Sequence, residues 1–490
     1  MAKKKLVQAS TFQLLYEKVL GISALLLSTF YIWLSFARHF FSPENRIGES
    51  SVLVIMLKSA RYFAIVLLVA SLAYLIITKI RFPDTWYRIR NAWKGLQCKE
   101  YILLLVLFVY YVLCCSVNSQ YYTNIFRSND LYLFDMAVSV FLLFPMANVL
   151  GYRRMRKYAD IMLHVVMVIS TSFIVWALWN LFHLNIVQLP NGLSSGMTSA
   201  YTFYPGVNQN IAAAIGTTMV MISLYMIVCH SWPIKVVYSF ALIIHLTATL
   251  LTASRGNFVA LLVCLPAVGG MVCWNSLKKR PFSLRCIITG IVVLIIAIAV
   301  WWLRSGVFTV FDSITHLSKY LNSSTSASAS ASGTTEPLIA SGQRSLTLDA
   351  ARARIWRSSI KVMLSSPRHF FFGVPLGRIT AEIKSAMESI YGTGSQYAHA
   401  HNMILQTGLV TGVPGMLMFI AFLVMMMIRC IRVSLGKTKA VFPGAFVLPI
   451  SILGMVIVNL FEPFLLFYVS VMGCMFFLYC GWTVAIDKAD

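Results

Sequence analysis

The sequence predicts an all-α, polytopic integral membrane protein, and three observations lead there. Hydrophobic residues fill 59% of the 490 positions and charged residues only 11%, with a mean hydropathy of +0.77, far from the balance of a water-soluble domain. Apolar runs of roughly 17–25 residues, enough to cross about 30 Å of hydrocarbon, recur along the whole chain, and about twelve can be separated. The basic residues gather in alternate connections between those runs, the asymmetry that topology imposes on membrane proteins.

In order, the runs are 19–37, 62–77, 101–117, 131–150, 161–182, 211–229, 233–252, 257–274, 284–303, 403–428, 442–460 and 464–482. With Lys3, Lys4 and Lys5 in the cytoplasm, the even-numbered connections are cytoplasmic. They carry Arg88, Arg90, Lys94 and Lys99, then Arg153, Arg154, Arg156 and Lys157, then Lys278, Lys279, Arg280 and Arg285, and finally Arg429, Arg432, Lys437 and Lys439. Both termini are therefore expected in the cytoplasm of a multi-pass protein of the cytoplasmic (inner) membrane. The net charge of +24 is explained by topology and anionic headgroups, and calls for no nucleic acid. No small-residue cleavage site follows the first run, so it reads as an uncleaved anchor. The ten cysteines fall in helices or short cytoplasmic connections, without metal-binding spacing or a disulfide framework.

Three larger connections, 38–61, 183–209 and 304–398, face the other side, so function is expected on the periplasmic or external face. The chain divides into transmembrane helices 1–9 (1–303), a long external loop (304–399) and transmembrane helices 10–12 (400–490). The segment 183–209 has no Lys, Arg, Asp or Glu and reads as a polar loop or a sugar-facing surface. In the long loop, the Ser/Ala-rich stretch 323–335 has nothing to anchor a core and reads as a flexible linker. Beyond it, 345–364 has the pattern of an amphipathic surface helix, Pro367, Gly373, Pro375 and Gly377 make a turn, and 380–391 makes a second helix.

Chemistry is sought where this loop meets the next run, at His399-Ala400-His401-Asn402. Two imidazoles and an amide at a water–membrane boundary can move and orient protons. A metal site is the competing reading, but alternating residues do not share a helix face and no carboxylate motif adjoins them. Arg255, before Gly256 at a helix end, either snorkels to lipid phosphates or meets an anion. Of Arg352, Arg354 and Arg357, two are expected to rest on headgroups and one to face the same cavity as Arg255; a pair of guanidiniums suits a diphosphate. Asp135 and Glu462, near outer helix ends, are each read as a possible base or as an arginine's partner.

Taken together, these motifs resemble the O-antigen ligase and polymerase family of bacterial envelope proteins. The resemblance rests on Ser254-Arg255-Gly256, on the R-x-x-I-W-like Arg352-Ala353-Arg354-Ile355-Trp356, on Pro367 followed by Gly373 and Gly377, on His399-Ala400-His401-Asn402-Met403-Ile404-Leu405, and on Gly412-Val413-Pro414-Gly415. Asn208-Gln209-Asn210 is similar to the family's Asn-Pro-Asn, with Gln209 in place of proline. The resemblance spans 204–427.

It implies an inverting, metal-independent glycosyltransferase with no cofactor. The donor would be a glycan on a polyprenyl diphosphate such as undecaprenyl diphosphate, and the acceptor a hydroxyl of a glycan or lipid core, in the cell-envelope chemistry of lipopolysaccharide and related polysaccharides. Arg255 and Arg352 would bind the donor diphosphate. His401, with His399 second, would act as the base, and Asn402, Asn210 and Arg354 would bind or orient substrate. A repeat-unit polymerase shares the donor site, and a lipid-linked sugar transporter or flippase is the reading from another class. The absence of any internal repeat speaks against the transporter.

Overall fold

The computed structural model describes residues 98–118, 129–150, 152–183, 187–188, 194–197, 203–205, 209–315, 350–392, 394, 397, 399–435, 444–467 and 470–488, with scattered helical positions between 22 and 80. The runs expected at 19–37 and 62–77 fall outside it except at those positions, as do the connection 38–61 and the linker 323–335. Among the described residues, seven helices are long and apolar enough to cross a membrane.

The first elements are α1 (Lys99–Val117), α2 (Asn129–Val138), α3 (Phe144–Leu150) and α4 (Tyr152–Phe182). A π turn, Ser139–Leu143, joins α2 to α3 within the run expected to be one continuous helix. Pro145 explains it, because its ring has no N–H to return to the preceding turn. Next come strands β1 (Val187–Gln188), β2 (Ser194–Met197) and β3 (Phe203–Pro205). They pair antiparallel in that order, with Val187 opposite Ser195 and Gly196 opposite Tyr204. The loop expected at 183–209 thus adds a small sheet to the predicted all-helical layout.

The chain continues through α5 (Gln209–Cys229), α6 (Trp232–Leu251), α7 (Arg255–Ser276) and α8 (Phe282–Thr315). Within its most apolar window α5 is 89% buried, and it forms the centre of the bundle. Its Gly216 lets α6 approach so closely that a Cβ there would collide with the Thr249 hydroxyl. The same measure for α8 is 6%, so α8 lies at the periphery with its face toward lipid. This helix runs to Thr315 rather than stopping at Leu303, and Arg304 is therefore helical.

The segment after α8 folds, where described, into α9 (Ala350–Leu364), α10 (Pro367–Phe372), a 3-10 turn (Leu376–Arg378) and α11 (Ile379–Tyr391). The last three helices are α12 (Met403–Leu435), α13 (Val447–Asn459) and α14 (Val471–Asp487). The final two start later than the runs 442–460 and 464–482, because residues 444–446 form a turn before α13 and residues 460–467 form a turn after it at one end of the bundle.

Two contacts fix this arrangement. At one end, the buried Arg429 of α12 pairs with Glu100 of α1 at 2.8 Å and with Asp487 of α14, joining three helices. Toward the other end, Gly412 breaks α12 with φ 72° and ψ 179°. The break leaves carbonyls without helical partners, and Leu409 O instead accepts from the Val374 N–H at 2.6 Å. A Cβ on Gly373 or Gly412, both at positive φ, would collide with the backbone of the facing segment. The α10 segment docks on α1 as well, where Asn118 donates to Phe372 O at 3.0 Å, Arg368 to Asn118 Oδ1 at 3.0 Å, and the Tyr110 hydroxyl to Phe371 O.

Candidate active site

Opposite the Arg429 network, several segments meet: the start of α5, the turn before α7, the helix α9, the residues before α12 and the turn 460–467. That last turn is built first. Asn459 Nδ2 donates to Met455 O at 2.7 Å while its Oδ1 accepts from Phe464 N at 2.6 Å, which bends the chain sharply. Ser470 caps α14 by accepting from Gly473 N and donates to Phe464 O at 2.6 Å. Asn402 then ties this turn to α12: its Oδ1 accepts from the N–H groups of Ile404 and Leu405, a helix N-cap, and its Nδ2 donates to Leu460 O at 3.0 Å.

Held in this way, Glu462 is 2% exposed and becomes the hub of the site. Its Oε1 accepts from Asn210 Nδ2 at 2.8 Å and from Arg352 Nη2 at 3.0 Å. His401 Nδ1 lies 3.2 Å from Oε1 and 3.1 Å from Oε2. Burial alone would raise the Glu462 carboxyl above its ordinary range, but the hydrogen bond from His401, with the positive charge of Arg352, overcomes this and holds it below. An ionised carboxylate only accepts, so the Nδ1 of His401 is the N–H nitrogen and Nε2 is left as the basic one.

His399 is in a different state. Its Nδ1 accepts from the main-chain N–H of His401 at 3.3 Å, and its ring sits 4.1 Å from that of His401, nearly edge-on. Burial first, then the charges of His401 and Arg352, push its pKa down to about 4. A neutral ring accepting through Nδ1 carries its proton on Nε2 and is a donor there. The backbone of His401 adopts φ 48°, a left-handed conformation that costs a non-glycine residue roughly 1–3 kcal/mol. Ala253 and Phe467, the other described non-glycine residues with positive φ, flank Arg255 and Glu462 in the chain. Backbone strain is thus stored next to the polar groups.

Arg255 opens α7, and the neighbouring Gly256 abuts the ring of Phe461, leaving 3.0 Å for a Cβ. Arg352 reaches the same ring, with Cζ 5.9 Å from its centroid. Phe461 thus lies against Gly256, the residue after Arg255, and beneath the Arg352 guanidinium. Arg354 is exposed and lies over the Tyr391 ring at 5.3 Å, on the opposite side of α9 from Glu462. Asn402 is placed as a cap and Asn210 as a partner of the carboxylate. Asp135 is buried within α2.

His399, His401 and Glu462 also have the donor set and mutual distances, within 4.8 Å, that could hold a metal ion. The carboxylate, however, is already paired with Arg352 and accepts from Asn210, with His401 Nδ1 against both oxygens. A divalent cation would have to sit beside that guanidinium, so the electrostatics favour a His–Glu dyad.

Residues 240–420 match the family model described as O-antigen ligase. This stretch of the chain is similar to that family, and it contains Arg255, Arg352, His399, His401 and Asn402. Asn210 and Glu462 lie outside it. No curated protein matches the chain.

Proposed function

We propose that this chain, a membrane protein with the O-antigen ligase family's domain at 240–420, transfers a glycan from a polyprenyl diphosphate to an acceptor hydroxyl on the outer face of the cytoplasmic membrane. The observation that carries this reading is the Glu462–His401 dyad, set beside Arg352, with Phe461 next to Glu462 in the chain and Gly256 next to Arg255 in contact. A buried carboxylate that orients an imidazole is the arrangement a general base requires.

In this mechanism the acceptor oxygen attacks the anomeric carbon from the face opposite the diphosphate, and the configuration inverts. A C–O bond to the acceptor forms, and the bond to the diphosphate oxygen breaks with its electron pair. The acceptor's proton passes to His401 Nε2, and Glu462 stabilises the resulting imidazolium. Negative charge grows on the leaving diphosphate, where Arg255 and Arg352 offset it without a metal. His399, whose outward nitrogen is a donor, orients the acceptor or the leaving group rather than removing the proton. Membrane lipids provide the medium for the donor, and the acceptor is a glycan or lipid core.

The test is transfer by purified protein supplied with polyprenyl-diphosphate glycan and candidate acceptors. His401→Ala should lower kcat by about 10²–10⁴-fold, and Glu462→Gln should follow it with a smaller loss. Arg255→Ala should cost about 10²–10³-fold. Unchanged rates in all three variants would sink the mechanism. Movement of the donor across liposomes without a new glycosidic bond would replace transfer by transport, and chelator-sensitive transfer would reinstate a metal at His399, His401 and Glu462. Supplying a lipid core in one reaction and a second lipid-linked glycan in another separates ligase from polymerase.

A further inference from the structure

Arg304 does not behave like the helix that carries it. Trp301, Trp302 and Leu303, the three residues before it, are exposed by 51, 70 and 40%, as befits a helix facing lipid. Arg304 itself is only 9% exposed. Its guanidinium turns inward and lies over the Phe258 ring with Cζ 4.8 Å from the centroid. An arginine that merely snorkelled to headgroups would extend outward to reach them. Phe258 lies one turn into α7 from Arg255, on the same helix face, and the charges of Arg304 and Arg255 are within electrostatic reach of each other. Arg304 over the Phe258 ring and Arg255 one turn away on the same helix face thus bring two arginines to the edge of the bundle on either side of one residue.

We propose that Arg304 is a donor-binding residue that, with Arg255, takes up the diphosphate of a lipid-embedded donor arriving from the plane of the membrane. This rests on the transfer reading given above and adds a residue and a direction of approach to it. Like charges drawn together at a lipid-facing edge are stabilised by a dianionic or trianionic group lying between them, and planar guanidiniums match phosphate oxygens two at a time. The peripheral position of α8 supplies the route. A polyprenyl tail stays in hydrocarbon along the exposed outer face while its diphosphate passes inward beside Phe258. Arg352, across Phe461, then meets the same group from the side of the His401–Glu462 dyad, where the bond is broken.

The experiment uses the full chain in nanodiscs and two readouts. In the first, Arg304→Gln should raise the KM for polyprenyl-diphosphate glycan by about tenfold or more, with the acceptor KM unchanged, and Arg304→Lys should fall between. In the second, wild-type protein should bind farnesyl diphosphate more tightly than farnesyl monophosphate, and Arg304→Gln should erase most of that preference. A folded Arg304→Gln protein with wild-type donor KM and an intact diphosphate preference overturns the proposal. If that variant does not fold, Arg304→Lys carries the comparison, and an undiminished preference there overturns it equally. Arg304-dependent binding of farnesyl diphosphate by a protein that transfers no glycan would overturn the transfer reading and leave this one. Normal transfer with a donor KM indifferent to Arg304 would do the reverse.

Discussion

His399 and His401 are two residues apart, yet their neighbours hold them in different protonation environments, and this makes a prediction about acid stability. The His399 pKa of about 4 lies below the ordinary imidazole value of about 6.5, so between those limits the unfolded chain holds a proton that the folded chain refuses. Stability should therefore fall as pH drops from about 6.5 to about 4. Glu462, held below its usual range, adds stability above about pH 4.3 that is lost as pH falls through its folded pKa. His399→Asn should flatten the upper part of this acid limb, read as apparent melting temperature in detergent against pH; an unaltered slope would mean that His399 is not the group responsible. The sequence made the histidines legible, because polar residues at a helix start in an otherwise apolar chain stand out. Glu462 also carried a signal, as the one charged residue between 441 and 486. Its pairing with His401 did not, since that depends on the bend made by Asn459. Arg352 and Arg354 were separable only once the inward face of α9 was known.

Among the elements, α12 and α10 depend on each other. The interrupted ladder at Gly412 receives the Val374 N–H, and the two glycines let the backbones touch. Gly412→Ala should destabilise the protein by more than about 1 kcal/mol, because it combines a positive φ with a steric collision, and Gly373→Ala should do the same. Thermal melting of the purified variants checks this; native-like melting of both would show that the joint contributes nothing. The sequence marked Gly412-Val413-Pro414-Gly415 and the turn after Pro367 as separate features. That they are one joint required two segments some forty residues apart to meet. Periodicity located α9 and α11 well, since each has one apolar face. It placed the starts of α13 and α14 too early, because an apolar run does not reveal that part of it is a turn.

At the level of the whole molecule, the alternation of helix directions puts the dyad and the basic connections at opposite ends. If the dyad faces outward, a membrane-impermeant maleimide added to intact cells should label Ser385→Cys, on the exposed side of α11, and spare the exposed Cys286 near the start of α8. Labelling of Cys286 alone would invert the topology. At the other end, Arg429→Ala strands the buried carboxylate of Glu100, while Asp487 keeps Arg432 at 3.5 Å, and should cost about 3–5 kcal/mol, seen as a large drop in melting temperature. The same α12 carries Arg429 at one end and follows directly from His401 at the other, with the Gly412 break between. A helix interrupted in this way transmits bending and twist poorly, so the two ends are mechanically insulated. Arg429→Ala protein that remains folded should therefore keep its donor and acceptor KM and its kcat, and substitutions that loosen the half around Arg429 can accumulate without detuning the geometry around His401.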